Sequence, residues 1–144
     1  LKESREPIET QIFASDRDFA AISQTRQALT TMELEDQVEL GRSDFFRLKP
    51  QTDEGIVVLN PPYGERMPLE DAPAFYGKVG DAFKSNWPGF SAWIISSDVE
   101  GMKQVGLKIK RRIKCFNGAM ECRWMGWDLY EGTGEKAPEP ETKA

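Results

Sequence analysis

Two consecutive prolines placed directly after a run of aliphatic and β-branched residues constrain this chain more than any other feature. The stretch reads Gly55-Ile56-Val57-Val58-Leu59-Asn60-Pro61-Pro62-Tyr63-Gly64. Ile56 to Leu59 are uniformly apolar, which predicts a strand buried on both faces, as in parallel sheets covered by helices. Pro61 and Pro62 lack amide donors and fix φ, so neither strand pairing nor a helix can follow at once. Asn60 and Tyr63 are thereby held on a stiff turn at the C-terminal end of a central strand. In open α/β sheets, ligands bind beyond that edge.

The rest of the chain supplies elements for such a sheet. Residues 11–15, with Ile12 and Phe13, predict a short strand ended by Asp16-Arg17-Asp18. Asp18 is a suitable N-cap for an amphipathic helix over 19–31, in which Ile22, Thr25 and Leu29 recur at helical spacing, with Met32 just beyond. Val38 to Leu40 is a minimal strand, followed by a loop over Gly41 to Phe46. Beyond the prolines, Asp71-Ala72-Pro73 opens a helix whose apolar face carries Phe75, Val79, Ala82 and Phe83. Phe90 to Ser96 is a second apolar strand, and Ser97 is positioned to cap a short helix bearing Met102 and Val105. Extended segments Leu107–Phe116 and Glu121–Tyr130 meet around Asn117-Gly118, a hairpin signal with a connection longer than two residues. Strands alternating with helices predict an α/β fold, mostly parallel, with an antiparallel C-terminal hairpin. Residues 1–10 read as a linker or the end of an upstream segment, 11–130 as one domain, and 131–144 as a disordered tail without apolar periodicity.

Composition narrows the chemistry. At 144 residues, 39% hydrophobic and 30% charged, the chain has one soluble domain's worth of sequence. No apolar run approaches the roughly 20 residues of a membrane helix. The absence of histidine removes histidine-dependent triads and most zinc sites, so no metal is expected. Cys115 and Cys122 make neither a disulfide framework nor a ligand set and read as inert thiols; a reducing, cytoplasmic setting is the simpler expectation. A net charge of −5 argues against nucleic-acid binding through the average field. Yet Lys103, Lys108, Lys110, Arg111, Arg112 and Lys114 crowd one segment. Lys108, Lys110, Arg111 and Arg112 are candidates for RNA phosphate contacts; the competing reading is a solvated strand face whose lysines blunt the sheet edge. Trp124 and Trp127 are read as packing residues.

Three predicted strands each lead into an acid or amide: Asp16, Asp44 and Asn60. In parallel strands these side chains gather at one sheet edge. Loop capping alone would explain Asp16 and Asp44 singly; their shared position is what points to a site.

Four segments occur in a fixed order: Ala14-Ser15-Asp16-Arg17-Asp18, Ser43-Asp44-Phe45-Phe46, Asn60-Pro61-Pro62-Tyr63-Gly64-Glu65-Arg66, and Phe116-Asn117-Gly118-Ala119-Met120-Glu121-Cys122. The third resembles motif IV of the S-adenosylmethionine-dependent amino methyltransferases. Together, over roughly residues 11–130, the four resemble the catalytic domain of the bacterial 23S ribosomal-RNA guanine-N2 methyltransferases whose fuller chains carry a THUMP domain. The resemblance implies a class I, Rossmann-like methyltransferase fold, S-adenosylmethionine as cofactor, and ribosomal RNA as partner. It implies that Asp16 accepts from the cofactor's ribose hydroxyls, and that Asp44 contacts the adenine amino group with Phe45 beside the ring. Asn60 and the Pro61 carbonyl would accept from the target amine, Pro62 would stiffen the turn, and Tyr63 would stack on the extruded base.

In that family a first strand and a glycine-rich loop precede these segments, whereas residues 1–10 contain no glycine. The expectation is a C-terminal part of a longer protein, with the strand, the loop and a THUMP domain upstream. The missing strand would fall between those ending near Asp16 and Asn60. On its own the chain would then bind no cofactor and be poorly soluble. N6-adenine methylation of DNA or RNA and methylation of a protein glutamine use the same loop and remain alternatives. A non-catalytic RNA-binding fragment is the alternative of another class.

Overall fold

The computed structural model describes residue 6, residues 8–63 and residues 70–130. Residues 1–5, residue 7, the stretch 64–69 and the tail over 131–144 lie outside the described residues. The chain divides into two compact units, Leu1–Leu48 and Lys49–Ala144, where the sequence suggests one.

In the first unit, β1 (Ile12–Asp16) pairs in parallel with β2 (Val38–Arg42), Ile12 opposite Val38 and Asp16 opposite Arg42. They are joined through α1 (Phe19–Thr31), whose N-cap Asp18 accepts from the Ala20 amide at 3.2 Å. Of the helix's predicted apolar stripe, Ile22 is buried and Met32 is exposed. A 3₁₀ turn over Phe45–Arg47 follows β2, so the predicted loop is shorter and more regular than expected.

In the second unit, β3 (Gly55–Leu59), β4 (Phe90–Ser96), β5 (Arg111–Asn117) and β6 (Met120–Asp128) form a sheet ordered β3-β4-β6-β5. The β3–β4 pair is parallel, while β6 runs antiparallel to both β4 and β5. Among the described residues, β1 and β3 are each edge strands of separate sheets. α2 (Ala72–Asn86) joins β3 to β4; Asp71 caps it by accepting from the Ala74 amide at 3.1 Å, with a proline in the first turn. α3 (Val99–Met102) is short, and its cap is Asp98, which accepts from the Gly101 amide at 2.8 Å, in place of the predicted Ser97.

Cross-strand register sets which side chains share a face. Val57, Ala92, Trp127, Ile94 and Met125 lie on one side and are buried. α2 covers that side. The Phe83 and Trp127 rings lie 6.1 Å apart, and the Tyr76 hydroxyl meets the Ser96 hydroxyl at 2.9 Å with both residues fully buried. α2 comes so close to the turn after α3 that a Cβ on Gly80 would overlap the Val105 carbonyl.

The expectation of a strand buried on both faces fails for β3. Ile56 is 68% and Val58 57% exposed, and only Val57 of the run is buried. The two exposed residues sit in register with the opposite side of the sheet, alongside half-buried Trp93 and exposed Ile113. An apolar run is required by a two-sided strand but does not itself supply the cover. The hairpin also differs from expectation. Pairing of Asn117 with Met120 leaves a two-residue turn, Gly118-Ala119. Gly118 takes φ 65°, the positive value that a type II′ turn demands at its first central position. The β5 strand begins only at Arg111, so Leu107 to Lys110 lead into it outside the ladder.

Candidate active site

The parallel pairing of β1 with β2 puts Asp16 and Asp44 at one edge of the first unit. The Ser43 amide donates to the Asp16 carbonyl at 3.1 Å, tying the two strand ends together. Asp16 Oδ1 accepts from the Asp18 amide at 2.8 Å, and the Arg42 guanidinium Nε donates to the Arg17 carbonyl at 2.9 Å, fixing the turn in between. Asp44 Oδ1 accepts from the Phe46 amide at 3.0 Å. Both acids therefore do cap their turns, as the plainer reading of the sequence has it. An ionised carboxylate offers two oxygens and about four acceptor sites, so one local bond does not exhaust it. Phe45 is half-buried beside Asp44, its ring packed edge-on against Phe46 with centroids 5.7 Å apart. The edge presents acceptor-only groups next to an aromatic ring. That acceptor set fits ribose hydroxyls and an exocyclic amine, which are hydrogen-bond donors, and so fits the nucleoside half of S-adenosylmethionine.

Asn60, Pro61, Pro62 and Tyr63 belong to the second unit. Asn60 is the first residue past β3 and is exposed; Pro61 is buried, and Pro62 and Tyr63 are half-buried. Buried Pro61 fixes φ just after the strand, so the Asn60 side chain and the Pro61 carbonyl are held at the strand end. The Tyr63 hydroxyl accepts from the Asn117 side-chain amide at 3.1 Å, which brings the proline turn against the β5–β6 hairpin. Burial pushes the Tyr63 phenol up, the Asn117 donor pulls it back down, and the neighbouring Cys122 and Cys115 thiols add to the upward push. The sequence marks the segment Phe116 to Cys122 through a hairpin signal and a resemblance, and Cys115 and Cys122 read as inert. Their place beside Tyr63 has no local signal, because the contact spans 54 positions in the chain.

Lys108, Lys110, Arg111 and Arg112 are all exposed, the first two before β5 and the others at its start. Further along the hairpin, Arg123 Nη1 donates to Glu121 at 2.6 Å. That bond, then the Lys114 charge, holds the Glu121 carboxyl below its ordinary range. Trp127 is buried, as expected of a packing residue, and Trp124 is half-buried.

A profile of the UPF0020 family, described as RMKL-like, methyltransferase domain, matches residues 1–126. The chain belongs to this methyltransferase family. The ribosomal RNA large subunit methyltransferase K/L of Shewanella baltica is 28% identical over 123 residues, covering 85% of this chain and 17% of that protein. Its counterpart from Shewanella frigidimarina is 30% identical over 131 residues, covering 90% of this chain and 18% of that protein. The chain thus spans less than a fifth of the length of these curated relatives. Among solved structures, SMU.472 complexed with SAH superposes with a TM-score of 0.75 at 24% identity, over 87% of this chain and 34% of that one. A predicted N6-adenine-specific DNA methylase from Listeria monocytogenes gives a TM-score of 0.66 at 25% identity, over 81% and 30%. These likenesses establish the fold as the α/β, Rossmann-like class I methyltransferase fold. Among the described residues, no helix is long and apolar enough to cross a membrane.

Proposed function

We propose that this chain carries the amine-accepting loop and the nucleoside-binding acids of an RNA methyltransferase. In this reading it methylates the exocyclic N2 of a guanine, in 23S ribosomal RNA, with S-adenosylmethionine as methyl donor. The observation that carries the reading is the Asn60-Pro61-Pro62-Tyr63 turn, set directly on the end of β3 with its proline buried.

The physics of the amine fits that turn. The lone pair of a guanine amine is conjugated with the ring and attacks poorly. Two acceptors, the Asn60 side-chain oxygen and the Pro61 carbonyl, aimed at its protons favour a pyramidal nitrogen and free the lone pair. No strong general base is needed, which suits a chain without histidine. Catalysis then rests on positioning and preorganised dipoles, with the prolines keeping the carbonyl aimed. Tyr63 supplies an aromatic face for a base taken out of its stack. Asp16 and Asp44 hold the cofactor's ribose and adenine as acceptors, with Phe45 beside the ring. The cofactor, when bound, supplies an electrophilic sulfonium methyl. Lys108, Lys110, Arg111 and Arg112 add sequence-independent attraction for RNA phosphates. The cofactor's methionine part is assigned to none of these residues; a glycine-rich loop and a THUMP domain elsewhere in the longer protein complete the proposal.

The relatives' names support ribosomal RNA, whereas the Listeria neighbour's name points to adenine N6 in DNA. Incubating the full-length protein with methyl-labelled S-adenosylmethionine and 23S RNA, then digesting to nucleosides, separates the two. Label in N2-methylguanosine is expected. Label in N6-methyladenosine would replace guanine by adenine, and RNA binding without any label would leave only a binding module.

A further inference from the structure

The proline turn positions Asn60 and Pro61 through its own backbone, but nothing in that backbone orients the ring four residues beyond the strand. Pro61 and Pro62 have no amide donors with which to anchor the turn to a neighbouring strand. The anchor comes from the far end of the sequence. Asn117 closes β5 and pairs with Met120 across a two-residue turn, so its backbone is fixed on both sides. Its side-chain amide donates to the Tyr63 hydroxyl at 3.1 Å. Asn117 shares its hairpin face with Cys115 and Cys122, which are directly opposite each other in the ladder; Cys122 is fully buried. The phenol is therefore seated against a rigid hairpin tip.

We propose that Asn117 is a positioning residue that fixes where the long axis of the Tyr63 ring points, and with it the place of the stacking surface offered to the target base. The role rests on the methyltransferase reading of the loop. The phenol oxygen lies on the ring's long axis, so a hydrogen bond at the hydroxyl leaves the ring free to turn about that axis but fixes the axis itself, and with it where the ring stands. Asn117 itself is exposed and its backbone lies in ordinary space, so replacing it removes the bond without straining the turn.

In the full-length protein, Asn117→Ala is expected to lower kcat/KM for RNA about 3- to 10-fold, the scale of one net hydrogen bond, with affinity for S-adenosylmethionine and the thermal midpoint unchanged. Tyr63→Phe, which keeps the ring and removes the hydroxyl, is expected to match that loss. The double variant is expected to lose no more than either single one. Independently of activity, the Tyr63 phenol, followed by NMR of a ring-labelled tyrosine, should titrate at higher pH in Asn117→Ala because the donor that lowers it is gone. Additive losses in the double variant, or an unmoved phenol, would overturn the anchor. Methyl transfer that persists undiminished in Asn117→Ala would overturn the positioning role alone. An unsubstituted protein that transfers no methyl, while its phenol still responds to Asn117→Ala, would overturn the reading of the site and leave the contact standing.

Discussion

Asn60 and Asp16 are both polar residues at the end of a strand, yet the roles proposed for them differ and separate experimentally. In its proposed role Asn60 contacts only the amine, and its contribution would grow as the nitrogen pyramidalises. Removing one such preorganised group in other enzymes costs about 10²–10³ in kcat. Asn60→Ala in the full-length protein is therefore expected to lose about that much methyl transfer, with the dissociation constant for S-adenosylmethionine within about twofold of its starting value. Asp16→Ala should show the opposite order, with cofactor affinity falling first and kcat at saturating cofactor changing less. Isothermal titration beside single-turnover kinetics reads both quantities. Unchanged transfer in Asn60→Ala would remove that side chain from the mechanism. Asp16 carries an additional structural duty, because its Oδ1 holds the Asp18 amide at 2.8 Å. Asp16→Asn keeps an acceptor for that amide and so isolates the loss of charge.

At the scale of elements, the sheet and helix packing depend on a buried polar pair. The Tyr76 and Ser96 hydroxyls meet at 2.9 Å, and the Ser96 hydroxyl also accepts from the Asp98 amide at 3.0 Å, just before α3. Ser96→Ala leaves both partners short and is expected to cost about 1–3 kcal/mol in urea unfolding. Burial pushes the Tyr76 phenol above its ordinary 10.0, the Ser96 bond pulls it partly back, and the Asp98 and Tyr63 charges add to the rise. A group raised on folding contributes stability that is complete below its unfolded value. That stability is lost as pH rises through the folded value. The loss should thus begin only above about pH 10, and Tyr76→Phe should flatten the fall in urea midpoint above that pH. The basic lead into β5 makes a different prediction. If Lys108 and Lys110 neutralise RNA phosphates, replacing them with alanine should flatten the log–log salt dependence of binding to single-stranded RNA by about 0.7 for each phosphate left without its cation. An unchanged slope would assign them to a solvated edge. Most of these elements are legible from sequence because their signals are local: Asp18 and Asp71 as caps, proline in the first turn of α2, and the apolar run of β4. The features without a sequence signal depend on partners distant in the chain. The Tyr63 anchor comes from a contact 54 residues away, whereas the hairpin is signalled locally by Asn117-Gly118 and only its two-residue length is set by the β5–β6 register.

For the whole molecule, the acids proposed for the cofactor and the turn proposed for the amine lie on two sheets that share no strand pairing among the described residues. Asp16 and Asp44 belong to the first unit and Asn60 to Tyr63 to the second. β1 and β3 each end their own sheet, and an edge strand leaves backbone donors and acceptors unpaired. β3 also displays Ile56 and Val58 at 68% and 57% exposure. Apolar exposure of this kind, on a strand made for two-sided burial, marks surface that favours association with further protein. Holding a cofactor beside an edge strand requires that edge to be ordered, and any freedom it has without a neighbouring strand subtracts from affinity because it must be lost on binding. A polypeptide of these 144 residues alone is therefore expected to bind S-adenosylmethionine at least about 100-fold more weakly than the full-length protein, since roughly 3 kcal/mol of ordering cost is enough for that ratio. It should also self-associate, with Ile56→Lys and Val58→Thr together reducing the association. Isothermal titration and analytical ultracentrifugation of the two proteins measure both. Equal affinity in the short and the long polypeptide would show that these 144 residues hold the cofactor without further protein, and would overturn that expectation.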